Sequence, residues 1–172
     1  MKKLMALLMV LVLTLTAAAA LADDAKLGLG VVTGFGHYDA DATADKDGKT
    51  EVDTTIATVL VDAEGKIVDV KIDVAQTPVT FNAQGVRTTD YEATQMTKME
   101  KKELYAMKAA SPIGKEFNEQ IEGLQAWLIG KTVAEFKAAV DAKDETLYAV
   151  CTVTMTDFVA AVEKAVAAAT AM

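Results

Sequence analysis

Thr58-Val59-Leu60-Val61-Asp62-Ala63-Glu64-Gly65-Lys66-Ile67-Val68-Asp69-Val70-Lys71-Ile72 is the stretch on which the fold turns. In its second half Val68, Val70 and Ile72 alternate with Asp69 and Lys71, and Asp73 and Val74 continue the alternation. A period of two with one apolar and one charged side describes a strand with one face on a core and one in water. Ala63-Glu64-Gly65-Lys66 supplies the turn, with Gly65 free to take positive φ. Val52 to Val61 and Ile67 to Val74 therefore predict an antiparallel hairpin.

Upstream, Leu27 to Tyr38 predicts a first strand in which Gly28, Gly30, Gly34 and Gly36 share one side. That bare side admits another backbone, a helix or a flat ring, and close packing is the favoured reading. The spacing is not a dinucleotide motif, since Thr33 stands where a third glycine is needed. Asp39 to Lys49 is an acidic loop ending in the turn signal Asp47-Gly48. It does not fit a calcium loop, because Thr43 and Thr54 fall at the first and last ligand positions.

Downstream, Pro78 interrupts the regularity, and Val79 to Phe81 predicts a short edge segment. The period then becomes helical. Met99 to Ala110 reads as a helix stopping before Ser111-Pro112. A second helix places Phe117, Ile121, Leu124 and Leu128 on one stripe, with Trp127 at its edge. A third is capped by Thr132 and Glu135, with Val133, Phe136 and Val140 inward. Leu147 to Met155 returns to strand character, and Thr156 is placed to cap a last helix carrying Phe158, Val162, Ala165 and Val166. The expected fold is α+β: an antiparallel sheet from the first strand, the hairpin and Leu147–Met155, with helices packed on one face.

Residues 1–22 read as a signal peptide. Lys2 and Lys3 precede the apolar run Leu4 to Leu15, and Ala20-Leu21-Ala22 is a small-x-small cleavage pattern. No Cys follows the cleavage site, which removes the attachment point of a lipid anchor. Residues 23–172 form one domain, expected outside the cytoplasm, secreted, periplasmic or at the cell surface, with no stable membrane span after cleavage. Losing the two lysines takes the net charge from -8 to -10. Such a surface argues against nucleic acid or anionic lipid as a partner.

Cys151 is the only cysteine, so no internal disulfide forms, and its apolar neighbours make it a buried small hydrophobe. One Cys and one His do not supply a zinc site, and no metal site is expected. His37 has no paired carboxylate or Ser in a catalytic arrangement. The aromatics Phe117, Trp127, Phe136 and Phe158 lie at helical spacing and read as core.

The hairpin Thr58–Ile72 resembles the one that opens bacterial exported FMN-binding domains, and Gln76-Thr77-Pro78 is similar to the segment that follows it there. Glu103 to Ser111, then Phe117 and Leu124, resembles the helical insertion of lipoprotein-like members. Thr152-Val153-Thr154 with Ala161-Val162-Glu163-Lys164-Ala165 resembles the end of the domain. The resemblance implies a flavoprotein that transfers electrons outside the cytoplasm, with FMN phosphate esterified to a Thr hydroxyl by a flavin transferase. That acceptor box reads Asp-x-x-Ser-Gly-Ala-Thr in the family. Registered on Thr152, it meets Thr146, Ala149, Val150 and Cys151 at the Asp, Ser, Gly and Ala. Only the acceptor hydroxyl is retained, and Val150 neither adopts positive φ nor leaves room for a phosphate.

The altered box favours non-covalent over covalent FMN, with Thr152, Thr154, Thr77, Gly34 and Gly36 as the candidate cofactor-binding residues. A flat cleft between the glycine face and the helices, with a helix N-terminus near Thr156, suits an isoalloxazine ring or another small planar ligand. The expected function is an FMN-binding-domain-like electron carrier with an unidentified redox partner, rather than a catalyst. The alternative is a flavin-free secreted or surface binding module that kept the fold and lost the cofactor.

Overall fold

The structure is a computed structural model that describes residues 25–36, 39–90, 92 and 95–171. Residues 1–22, expected from the sequence to be a signal peptide, and His37 lie outside the described residues. Three long strands dominate: β1 (Lys26–Phe35), β2 (Gly48–Val61) and β3 (Ile67–Phe81). With the two-residue β4 (Thr170–Ala171) they form an antiparallel sheet in the order β3-β2-β1-β4. The helices follow: α1 (Lys98–Lys101), a 3-10 turn (Lys102–Tyr105), α2 (Phe117–Leu128), α3 (Val133–Ala142), α4 (Glu145–Tyr148) and α5 (Thr156–Ala167). The α+β class and the antiparallel hairpin are as expected from the sequence.

The hairpin puts Ala57, Val59 and Val61 of β2 beside Val70, Ile72 and Val74 of β3, all buried. Val68 does not join them. The register shifts at Leu60/Val61, so Asp69 pairs with Leu60 while Ile67 pairs with Val61, and Ile67 takes the buried place. Val68 is the extra residue of a bulge. β3 also runs through Pro78 without a break. It is an edge strand, and the amides of Val70, Ile72 and Val74 are met by side chains rather than by a neighbouring strand. Pro78 has the same parity, so its missing N–H removes no bond from the sheet.

α5 lies across β1. A Cβ on Gly28 would sit 1.9 Å from the Ala165 carbonyl oxygen, and one on Gly30 equally close to that of Ala161. Bare glycine backbone thus lets a helix backbone settle directly on the strand. α2 contributes Phe117, Ile121, Leu124 and Leu128 to the same buried cluster, and α3 contributes Phe136.

Three elements differ from the sequence reading. Leu147–Met155 is not a strand. The Asp144 carboxylate accepts from the amides of Thr146 and Leu147 and starts α4, and Val150 and Cys151 bond back to the Leu147 carbonyl. Leu147, Cys151 and Met155 are buried at four-residue spacing, a helical rather than an alternating period. The third partner of the sheet is instead β4, at Lys26 and Leu27 of β1.

The predicted helix Met99–Ala110 is interrupted. Positive φ at Lys102 (46°) and Ala106 (57°) ends first α1 and then the 3-10 turn. The buried Glu116 carboxylate next takes the Met107 amide at 2.8 Å. Thr156, finally, is the first residue of α5 rather than its cap; Met155 holds the cap position and makes no side-chain bond there. The Thr132–Glu135 capping box forms as expected, and the Thr132 bonds hold the Glu135 carboxyl below its ordinary range.

Candidate functional site

The face of the sheet that carries the core becomes polar beyond the reach of α5. Along β2 the apolar series Ala57, Val59, Val61 is preceded on the same side by Thr55, Asp53, Glu51 and Lys49. Glu51 is buried, pairs with Lys49 at 3.1 Å and accepts from Gln76 Nε2 at 3.1 Å. Gln76 also reaches Asp53 Oδ2 at 3.5 Å, so it lies between the two carboxylates. Asp53 Oδ1 is buried and has no hydrogen-bond partner.

Between this row and the start of α5 lies a cleft of about 210 Å³. Asp53, Thr55, Lys98, Phe117, Thr154 and Asp157 are among the residues that line it. A shallower depression of about 490 Å³ adjoins it on the other side of Gln76, where Lys49 and Glu51 face Tyr105 and Met107. Lys98 Nζ stands 5.4 Å from the ring centres of both Tyr105 and Phe117, which fixes a cation against an aromatic wall.

The structure brings together some of the residues singled out in the sequence and separates others. Thr154 lines the cleft. Gly34 pairs with Asp53 and has open space above it. Gly36 donates its amide to the Glu51 carbonyl at 2.7 Å, and a Cβ there would meet the Glu51 side chain. Of the three, Thr154 lines the cleft, while Gly34 and Gly36 lie beside Asp53 and Glu51 without lining it. Thr77 pairs with Val52 and points to the opposite face of the sheet, away from them.

Thr152 is half-buried, with its amide 2.8 Å and its hydroxyl 3.1 Å from Gln120 Oε1. Gln120 is fully buried and donates onward to Ser111 Oγ (2.9 Å) and the Lys115 carbonyl (3.2 Å). Val150, at the place of the box glycine, packs on α2 where that helix has Gly123; a Cβ there would lie 3.0 Å from Val150 Cβ.

This geometry bears on whether FMN fits. The hydroxyl of Thr152 is a donor inside a buried network, and Gly28 and Gly30 are covered by helix backbone. The cleft of about 210 Å³ taken alone falls below the ~300–1,000 Å³ usual for pockets that enclose cofactor-sized ligands, and the adjoining depression of about 490 Å³ lies within that range. Its two carboxylates, Asp53 and Asp157, disfavour a phosphate and suit a hydrogen-bond donor or a cation.

Gln120, Asp53 and Glu51 carry this region and were not singled out by sequence. Gln120 left a signal, because it is the polar residue on the buried stripe between Phe117 and Leu124.

Cys151 is fully buried, and burial pushes its thiol up to about 11. At pH 8 we expect alkylation about a hundredfold slower than for a free cysteine. A thiol-labelling time course in native buffer and in denaturant checks this.

Comparison with protein-family models, with curated proteins and with solved structures matched none of them. Among the described residues no helix is long and apolar enough to cross a membrane.

Proposed function

We propose that the chain is an extracytoplasmic binding module of FMN-binding-domain-like architecture that takes a small, donor-bearing ligand in place of a covalent flavin. The observation that carries this reading is Asp53, whose buried Oδ1 lacks a hydrogen-bond partner in a cleft it shares with Asp157, Lys98, Phe117, Phe158 and the hydroxyls of Thr55, Thr154 and Thr156. A ligand ammonium or hydroxyl donor satisfies that oxygen. The bond from the Thr152 hydroxyl to Gln120 supports the absence of an ester at that oxygen.

A flavin-dependent electron carrier is the second reading. Lys98 beside the first turn of α5 favours it, since a helix N-terminus and an ammonium both attract a phosphate. In that case the isoalloxazine supplies the electron transfer, and the residues here bind and orient it.

The two readings part in one experiment. The chain is secreted from a host with a flavin transferase and examined by intact mass, visible spectrum and thermal shift. The binding-module reading expects a colourless protein of plain mass, with no shift on adding FMN. Putrescine, used as a cationic probe, raises the melting temperature of the wild type and not of Asp53→Asn. A mass increment of one FMN lost in Thr152→Ala, or a yellow colour released on denaturation, sinks that reading and establishes the carrier.

A further inference from the structure

The cleft that holds Asp53 carries both signs of charge, and the two signs are kept apart. Lys98 lines it together with Asp53 and Asp157. Among the described residues Asp53 makes no ion pair: Oδ2 is 3.5 Å from Gln76 Nε2, and the buried Oδ1 has no hydrogen-bond partner. Gln76 fixes that carboxylate by bonding Glu51 as well, and the Glu51 charge is met by Lys49 at 3.1 Å. Lys98 is fixed separately. Its ammonium stands 5.4 Å from the ring centres of Tyr105 and Phe117, and its backbone opens α1 behind the Thr97–Glu100 capping box. Asp157 lies in the first turn of α5, where the helix dipole already favours its charge.

Opposite charges held apart on one small cleft restrict what enters it. A simple cation offsets Asp53 but brings a like charge towards Lys98. A simple anion offsets Lys98 and meets Asp53 and Asp157. A molecule with an ammonium and a carboxylate a few bonds apart answers both. The bare Oδ1 calls for an N–H donor, which a quaternary ammonium lacks. The hydroxyls of Thr55 and Thr154, also on the lining, serve the donors and acceptors that remain. Size points the same way. The cleft of about 210 Å³ equals roughly seven water volumes, which suits a single small amino acid and not a peptide or a nucleotide.

We infer that the ligand of this cleft is a free α-amino acid with a short side chain, its ammonium paired with Asp53 and its carboxylate with Lys98. The inference rests on the reading of the cleft as a binding site and names the class of ligand that the site takes.

Isothermal titration calorimetry of the purified protein at neutral pH tests it with three probes. L-alanine carries both charges, L-alaninamide keeps only the ammonium, and propionate keeps only the carboxylate. L-alanine is expected to bind at least about tenfold more tightly than either of the others. Asp53→Asn weakens L-alanine about tenfold. Lys98→Met brings L-alanine down to the level of L-alaninamide, whereas Lys98→Arg, which keeps the charge, retains the preference. Melting curves of the ligand-free variants check that they fold, and the three-probe comparison on the wild type stands without them. L-alaninamide binding as tightly as L-alanine overturns the inference and leaves a site for simple cations, so the binding-module reading survives. Propionate binding most tightly overturns it in favour of an anion site. A preference for L-alanine that Lys98→Met leaves untouched overturns the placing of the carboxylate. If none of the three probes nor putrescine binds, the inference falls together with the reading beneath it.

Discussion

Gly30→Ala is expected to destabilise the domain by about 3 kcal/mol or more. The new Cβ would lie 1.9 Å from the Ala161 carbonyl oxygen and 2.6 Å from the Ala165 amide nitrogen. Both are backbone atoms of α5, so no rotamer change relieves the contact. Either the helix lifts from the strand or β1 bows away from it. Both movements open the packing around Ala161, Val162 and Ala165, which are fully buried. Overpacking a core with one methyl group ordinarily costs about 1–3 kcal/mol, and a clash between two backbones belongs at or above the top of that range. Gly28→Ala meets the Ala165 carbonyl in the same way and is expected to behave alike. Gly34→Ala is the control, because nothing lies within 4 Å of its added Cβ. Its effect on stability should stay within about 0.5 kcal/mol. Urea unfolding of the three variants reads the difference directly. Equal losses at all three positions would mean that backbone freedom, rather than the seat of α5, is what these glycines provide.

The contrast along β1 shows what a sequence conveys and what it leaves open. Four glycines on one side of a strand announce that something approaches closely, and two-residue alternation is enough to say so. Whether the visitor is a ring or a helix depends on where α5 lands, over a hundred positions later in the chain. The hairpin was legible for a simpler reason. Val70 and Ile72 against Asp69 and Lys71 is a local pattern that only one pleated geometry satisfies. The bulge that exchanges Val68 for Ile67 leaves no such mark, because it arises from how two strands end together.

Val150-Cys151-Thr152-Val153 misled because β-branched residues favour strands, while the cap at Asp144 and the seat on Gly123 decide the outcome. The Asp144 carboxyl is held below its ordinary value chiefly by the Thr146 hydroxyl, a sign of how firmly that cap is made. The candidate site was legible in part. Thr154 lines the cleft, Gly34 and Gly36 lie beside Asp53 and Glu51 without lining it, and Thr77 lies on the other face. Asp53 and Glu51 carry no sequence mark, since neither the period nor the composition says that a carboxylate on the core side lies beyond the helices that cover that side.

Gln120→Leu is the second change expected to have a large effect, and it links the core to the cleft. The side chain keeps nearly the same volume, so packing against Phe117 and Leu124 changes little. The polar contacts change completely. Thr152 loses the acceptor of both its amide and its hydroxyl, and Ser111 Oγ and the Lys115 carbonyl lose a donor. Stranding a buried polar group costs about 1–3 kcal/mol, and here several are affected at once, so a loss of about 3 kcal/mol is expected. Thr152→Val removes only the hydroxyl, leaves the amide bonded to Gln120, and should cost about 1 kcal/mol. The double variant Gln120→Leu/Thr152→Val should be less unstable than the two losses added together, because the hydroxyl no longer needs the acceptor that was removed. Denaturant melts of the four proteins complete that cycle. A positive coupling makes the Thr152 hydroxyl part of the wall that holds Thr154 and the first turn of α5 beside Asp53. Simple additivity would free that hydroxyl from Gln120 and reopen Thr152 as the place where a phosphate attaches.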